Sequence, residues 1–268
     1  MSAVFGVVVG LVTDVDDPSD QGRVRLRFPW LTDDDATSGW APVVRTMAGP
    51  RRGYWFAPEV DDEALVAFEQ GDVDHPFVLG FLHNGVDQPP DDGIDKHVRR
   101  IRSVSGHVLE LDDSLGKERV LLKTQGGHLV EMKDADGTVR IATTGGQVVE
   151  LEDDPAQIEL STTTGTKVTI ADSPSQVQVS TVGGVTVTVS DTGVDVSSAT
   201  GAVSVTSLSA SVTATSSATV SAPSVEIDAA TLTVNSALAT FTGVVNCTTL
   251  VATSVVSSSY TPGAGNIW

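Results

Sequence analysis

The sequence predicts an all-β chain built in two unlike parts, a small barrel followed by a repetitive stack of strands. Two regularities carry this prediction. Near the start, short apolar runs are separated by clusters of Gly, Pro and Asp, the punctuation of short strands. Beyond them, a strand–acidic turn–strand unit recurs with separations of 21, 19, 19 and 19 residues between its leading glycines. Composition is equally uneven: ten of the 13 aromatic residues lie in the first 81 positions, and 45 of the 51 charged residues in the first 160.

Residues 1–85 form the first part. The runs VFGVVVGLVTDV, GRVRLRF, WAPVVRTM, EALVAFEQG and PFVLGFL make about five strands, the count of a compact barrel. In GRVRLRF, Arg23, Arg25 and Arg27 share one face, while Val24, Leu26 and Phe28 share the other and belong to the core. Barrels of this size often bind oligonucleotides along basic grooves. The first 80 residues hold 14 acidic and only 6 basic side chains, which argues against that use.

A joining segment, 86–104, leads to the repeats at 105–259. Gly106, Gly127, Gly146, Gly165 and Gly184 each open a strand of alternating aliphatics; an acidic turn follows (Asp112–Asp113, Asp134 to Gly137, Asp153–Asp154, Asp172, Asp191), then a second strand. Self-similarity at this period marks a stacked architecture in which each unit buries its face only against neighbours. From Gly201 to Tyr260, 45 of 60 residues are Ser, Thr, Val or Ala, yet the Val and Thr alternate at period two, which predicts ordered strand rather than a linker. No aromatic residue occurs between His83 and Thr240. Such small side chains cannot fill the lumen of a single-chain coil; three chains sharing one narrow core need only these.

Charge and motif content narrow the function. With 16 Lys+Arg against 35 Asp+Glu, the net charge is -19, which repels phosphate backbones and anionic lipid at long range. The longest apolar run, Val4 to Val12, is about half of the ~18 residues a membrane helix needs. It also lacks the basic flank of a signal peptide, so synthesis in the cytoplasm without a leader is expected. One cysteine, Cys247, allows no disulfide within the chain and reads as a small buried residue. No metal site is expected: His83, His97, His107 and His128 are scattered, and the Asp-rich turns lack a calcium-roll nonapeptide. No catalytic constellation (G-x-S-x-G, H-E-x-x-H) is present, so no cofactor and no enzyme activity are expected.

Six blocks then follow in a specific order: DP, GRVRLRFPW, GW, AGPRRGYWFAPEV, DEALVAFEQGD and HPFVLGFLHNG. This series closely resembles the oligonucleotide/oligosaccharide-binding (OB) fold domain of phage baseplate assembly protein V and of VgrG spike proteins. One departure is Asp61, where the family pattern has Gly. The resemblance implies an N-terminal OB-fold barrel followed by a C-terminal intertwined trimeric β-helix, a needle. It further implies a homotrimer forming the central spike of a contractile injection machine that pierces the target envelope, with a separate hub or baseplate protein at the N-terminal end.

VgrG proteins usually carry their hub domains before the barrel. A chain starting at the barrel is therefore expected in a phage tail or a phage-derived extracellular system. The alternatives are a type VI secretion VgrG-like spike, or a trimeric β-helical adhesin or polysaccharide-degrading tail fibre. The last nine residues, 260–268, break the repeat, and Tyr260, Pro262, Ile267 and Trp268 are expected to form an apolar tip. By resemblance, that tip would dock a cone-shaped PAAR-type cap protein; the alternative is that Trp268 only plugs the end of the needle core.

Overall fold

The computed structural model describes residues 3–31, 37–90 and 95–258, and the chain divides into two units, 1–205 and 206–268. The first unit opens with β1 (Val7–Asp14), β2 (Arg25–Arg27), a short hairpin of β3 (Ala48–Gly49) and β4 (Arg52–Gly53), then β5 (Glu63–Phe68) and β6 (Pro76–Phe81). Four of these form an antiparallel sheet in the order β2-β1-β5-β6. The run 41–44 closes it into a barrel. Val24 and Ala41 exchange backbone bonds of 3.0 and 2.7 Å on one side; on the other, the Val44 N–H donates to Val78 O at 2.8 Å and the Val78 N–H to Pro42 O at 2.9 Å. The strand expected from WAPVVRTM is thus present as bridges, because Pro42 has no N–H to give to a regular ladder.

The alternation in GRVRLRF is resolved as expected. Val24, Leu26 and Phe28 are buried with Val12, Ala41, Ala64, Val66, Phe68 and Val78 in one core. Opposite them, Arg25 lies 5.0 Å over Trp40, and Arg23 is committed to Asp17. That carboxylate organises the whole β1–β2 loop: it accepts the N–H of Ser19, Gln21 and Arg23 and a two-point contact from the Arg23 guanidinium at 3.0 and 2.6 Å. The Arg23 pair above all, then the backbone donors, hold the Asp17 carboxyl well below the usual carboxylate range against the opposing effect of burial. Asp61 keeps the turn that a glycine would make: its φ is 76°, a left-handed conformation that aspartate tolerates better than most side chains.

Eleven strands follow in one antiparallel meander: β7 (Val98–Arg102), β8 (Val108–Asp112), β9 (Arg119–Lys123), β10 (Leu129–Lys133), β11 (Thr138–Ala142), β12 (Val148–Asp153), β13 (Ala156–Ser161), β14 (Lys167–Asp172), β15 (Ser175–Ser180), β16 (Val185–Ser190) and β17 (Gly193–Ser198). Each pairs with its sequence neighbours, in the order β17 to β7. The sheet starts inside the expected joining segment 86–104, since VRRIR pairs with β8 from Val98↔Asp112 to Arg102↔Val108. It lacks the glycine that opens each later unit, which is why the repeat hides it.

The leading glycine of each unit has a physical cause. Gly106, Gly127, Gly146, Gly165 and Gly184 all adopt φ between 77° and 93° at the same point of the same turn, a region where other residues are strained. Three positions before each stands a hydroxyl, on Ser103, Thr124, Thr143, Thr162 and Thr181. Each accepts the backbone N–H of the residue after the glycine at 3.0–3.3 Å. The rule is therefore Ser/Thr-x-x-Gly, with the side chain closing the turn.

Beyond β17 the chain stays extended, and no strand ladder is present among the described residues to 258. In the second unit, every described residue is exposed. The expected β-helix thus divides at Ser198. Up to there both ladder neighbours of every inner strand come from the same chain; after it, no ladder is present among the described residues to 258.

Candidate functional site

The meander is one layer thick, and its register sorts the side chains by face. Cross-strand partners share a face, which places two unbroken columns on one side. The first runs Ile101, Leu109, Leu122, Val130, Ile141, Val149, Leu160, Val168, Val179, Val187, Val196. The second runs Leu111, Val120, Met132, Val139, Leu151, Ile158, Ile170, Val177, Val189, Val194, starting beside Arg99. Within the single chain these residues are open to water: Ile101 at 47%, Leu122 at 48%, Leu160 and Ile170 at 42%. An apolar face this long, without a covering layer, is what a surface for association looks like.

The opposite face carries the column Arg100, Glu110, Leu121, Glu131, Arg140, Glu150, Glu159, Thr169, Gln178, Thr188, Asp195. Its first half is laced by ion pairs. Glu110 is only 3% exposed and accepts from Arg100 Nε at 2.8 Å and Arg119 Nη2 at 2.6 Å. Arg119 reaches on to Glu131 at 3.5 Å, and Lys133 lies 3.7 Å from Glu131. The hydrogen bond to Glu110 raises the Arg119 pKa. Glu110 and Glu131 are therefore bound into ion pairs.

The first acidic turn uses one carboxylate on its own backbone and another on a neighbouring strand, where Asp113 pairs with Arg99. Asp112 accepts the Ser114 N–H at 2.9 Å, and the Ser114 side chain and backbone together lower its pKa. Among the described residues no group of three or more His, Cys, Asp or Glu side chains is arranged to hold a metal ion. His107 and His128 occupy equivalent places, each accepting at Nδ1 a backbone N–H from the next turn, Gln125 at 3.1 Å and Thr144 at 3.4 Å. No helix among the described residues is long and apolar enough to cross a membrane.

The extended segment has a register that the sequence reading missed. The chain bends at 201, 208, 215–216, 223, 230, 237, 242–243, 248, 253 and 258. Two and four residues after successive bends stands an apolar pair: Val203/Val205, Ala210/Val212, Ala218/Val220, Val225/Ile227, Leu232/Val234, Ala239/Phe241, Val245/Cys247 and Leu250/Ala252. Residues two apart point the same way in extended chain, so every straight piece presents one small apolar face between bends. The pieces shorten from seven residues to five along the segment. The signal was present as a pair of apolar residues recurring about every seven positions, masked by the high background of Val and Ala. Cys247, expected to be buried, is exposed in the single chain because the faces of this segment have no cover within it. Tyr260, Pro262, Ile267 and Trp268 lie outside the described residues.

Residues 8–83 match the family described as the type VI secretion system/phage-baseplate injector OB domain, so the barrel is of that class. Among curated proteins, the chain is 29% identical over 129 residues to the actin cross-linking toxin VgrG1 of Vibrio cholerae, covering 45% of this chain and 11% of the toxin. It is 31% identical over 110 residues to the type VI secretion system spike protein VgrG3 of the same species (38% of this chain, 11% of VgrG3). It is 29% identical over 126 residues to the spike protein VgrG5 of Pseudomonas aeruginosa (43% and 16%). The matched part spans between 11% and 16% of the length of these relatives. The chain is thus VgrG-like through its barrel, and the alignments are longer than the barrel alone.

Proposed function

We propose that this protein is the central spike of a contractile injection machine, a homotrimer with the barrels toward the baseplate and the needle toward the target envelope. The observation that carries the reading is the pair of apolar columns on one face of the eleven-stranded sheet. Three such sheets, apolar faces inward, close a triangular prism roughly 48 Å long, given ten spacings of ~4.8 Å. The ion-paired face points outward. In the extended segment the three chains wind around one another. Each straight piece then finds its ladder partners in the other two chains, and the apolar pair of each piece faces the axis. The pieces of this segment shorten from seven residues to five toward 258.

Closed ladders leave few free edges, and a structure without them resists bending and unwanted strand pairing. The role is mechanical: force from sheath contraction is delivered through a stiff, narrow body. No domain intervenes between β6 and β7 to carry an enzyme, and Glu110 and Glu131 are ion-paired. Phage tails, phage-derived extracellular systems and type VI secretion systems are the machines that use a spike with this barrel. A type VI secretion spike is the narrower reading that the names of the relatives above favour. Residues 260–268 are proposed to dock a cap protein of PAAR type. Light scattering on the purified full chain tests the core of this proposal: a mass of three chains, about 83 kDa from 27.8 kDa each, is expected, and a monomer refutes it.

A further inference from the structure

The hairpin of β3 and β4 and the strand end before it enclose a groove of about 490 Å³, lined by Arg45, Met47, Arg51, Arg52, Tyr54 and Trp55 among others. No carboxylate lines it among the described residues. In a stretch with 14 acids and 6 basic side chains, half of the cations thus converge where none of the described acids does.

These arginines differ from the rest of the barrel's. Arg23 is satisfied by Asp17, and Arg25, over the Trp40 ring, stands alone with a buried Nε that has no hydrogen-bond partner, outside this groove. Neither Arg51 nor Arg52 has an ion-pair partner among the described residues. Arg45 lies 4.8 Å over the Trp55 ring and donates to the Phe56 carbonyl, yet its Nη2 is buried with no hydrogen-bond partner. Burial lowers its pKa, the mark of a cation held from water without a counter-ion. Tyr54, Trp55 and Phe56 are all more than half exposed. Trp55 is nonetheless fixed in place: a Cβ on Gly22 would stand 2.2 Å from its ring, so the ring rests on bare backbone there and under a guanidinium at Arg45. Clustered arginines with a pre-oriented aromatic are the usual energetic centre of a protein–protein contact, and guanidinium forks match carboxylates in geometry.

We propose that this groove seats an extended acidic segment of a partner protein, its carboxylates on Arg45, Arg51 and Arg52 and its apolar side chains on Trp55 and Tyr54. A short acidic peptide is favoured over nucleic acid because only three arginines converge at this groove, whereas a nucleic-acid site tracks the phosphate backbone with a long run of cations. The inference goes beyond the spike reading and does not depend on it.

The test uses the full chain and fluorescein-labelled hexaglutamate, with equally labelled hexathymidylate beside it, read by polarisation. Hexaglutamate is expected to bind in a salt-sensitive way, at least tenfold more weakly to the Arg51→Glu/Arg52→Glu variant and more weakly to Trp55→Ala. The Lys96→Glu/Lys117→Glu variant, with the same change in net charge away from the groove, binds as the wild type. Absence of hexaglutamate binding, tighter binding of hexathymidylate, or an equal loss in both charge variants overturns the proposal. A lower mass of the Arg51→Glu/Arg52→Glu variant in light scattering also overturns it, by assigning the groove to a second copy of this chain.

Discussion

Replacing Leu160 by alanine separates an open sheet from one closed against its copies. Leu160 sits in the middle of the first apolar column, between Val149 and Val168, and is 42% exposed in the single chain. Burying that remainder removes roughly 80 Å² from water, about 2 kcal/mol per chain at ~25 cal/mol per Å². In a closed prism the alanine also leaves a cavity, so the expected cost is about 2–5 kcal/mol per chain, counted three times in the trimer. On a surface open to solvent the same change costs within about 0.5 kcal/mol. Denaturant unfolding followed by circular dichroism, at two protein concentrations, reads the difference. Thr169→Ala, one strand over on the ion-paired face, serves as the control and should stay near the wild type. A Leu160→Ala midpoint equal to that of Thr169→Ala and independent of concentration would refute the covered face and the trimer with it.

Two further expectations concern charge. Glu110→Ala removes the buried carboxylate to which Arg100 and Arg119 both donate and is expected to cost about 1–3 kcal/mol, read as a lower unfolding midpoint; a neutral result would show these bonds to be dispensable. Asp17, whose carboxyl is held below its ordinary range, adds stability to the barrel that is complete above the unfolded-state value near 3.9 and is lost as pH falls through the lower folded-state value. Asp17→Asn should therefore lower Tm at neutral pH and flatten the acid limb of the Tm–pH curve below about pH 4, and an unchanged acid limb contradicts the loop-organising role.

Local chemistry made much of this protein legible before any fold was known. Strict alternation assigned Val24, Leu26 and Phe28 to the core and the three arginines to the other face, because side chains in extended backbone change sides at every residue. The recurrence of glycine marked each unit, because only glycine takes φ near 85° without strain and the hydroxyl three residues before it closes the same turn. Asp61 reads as an exception in the sequence, yet its backbone makes the glycine's turn. The VRRIR strand and the pairs of apolar residues between bends were harder to read, since one lacks the marker glycine and the others are submerged in Val, Ala, Ser and Thr.

By itself, then, the sequence determined most strands of the barrel and of the glycine-marked repeats to 198, the two faces of each and the turns between them, all consequences of interactions within a few residues of one another. Only the tertiary structure decided which strands pair with which. Hydrogen-bond donors and acceptors are alike at every residue, so a ladder's partner is chosen by register and by what the rest of the chain can reach. That choice makes 98–198 a sheet complete within one chain, with its apolar face bare. It also leaves the backbone of 201–258 without a ladder, although both stretches alternate at the same period of two.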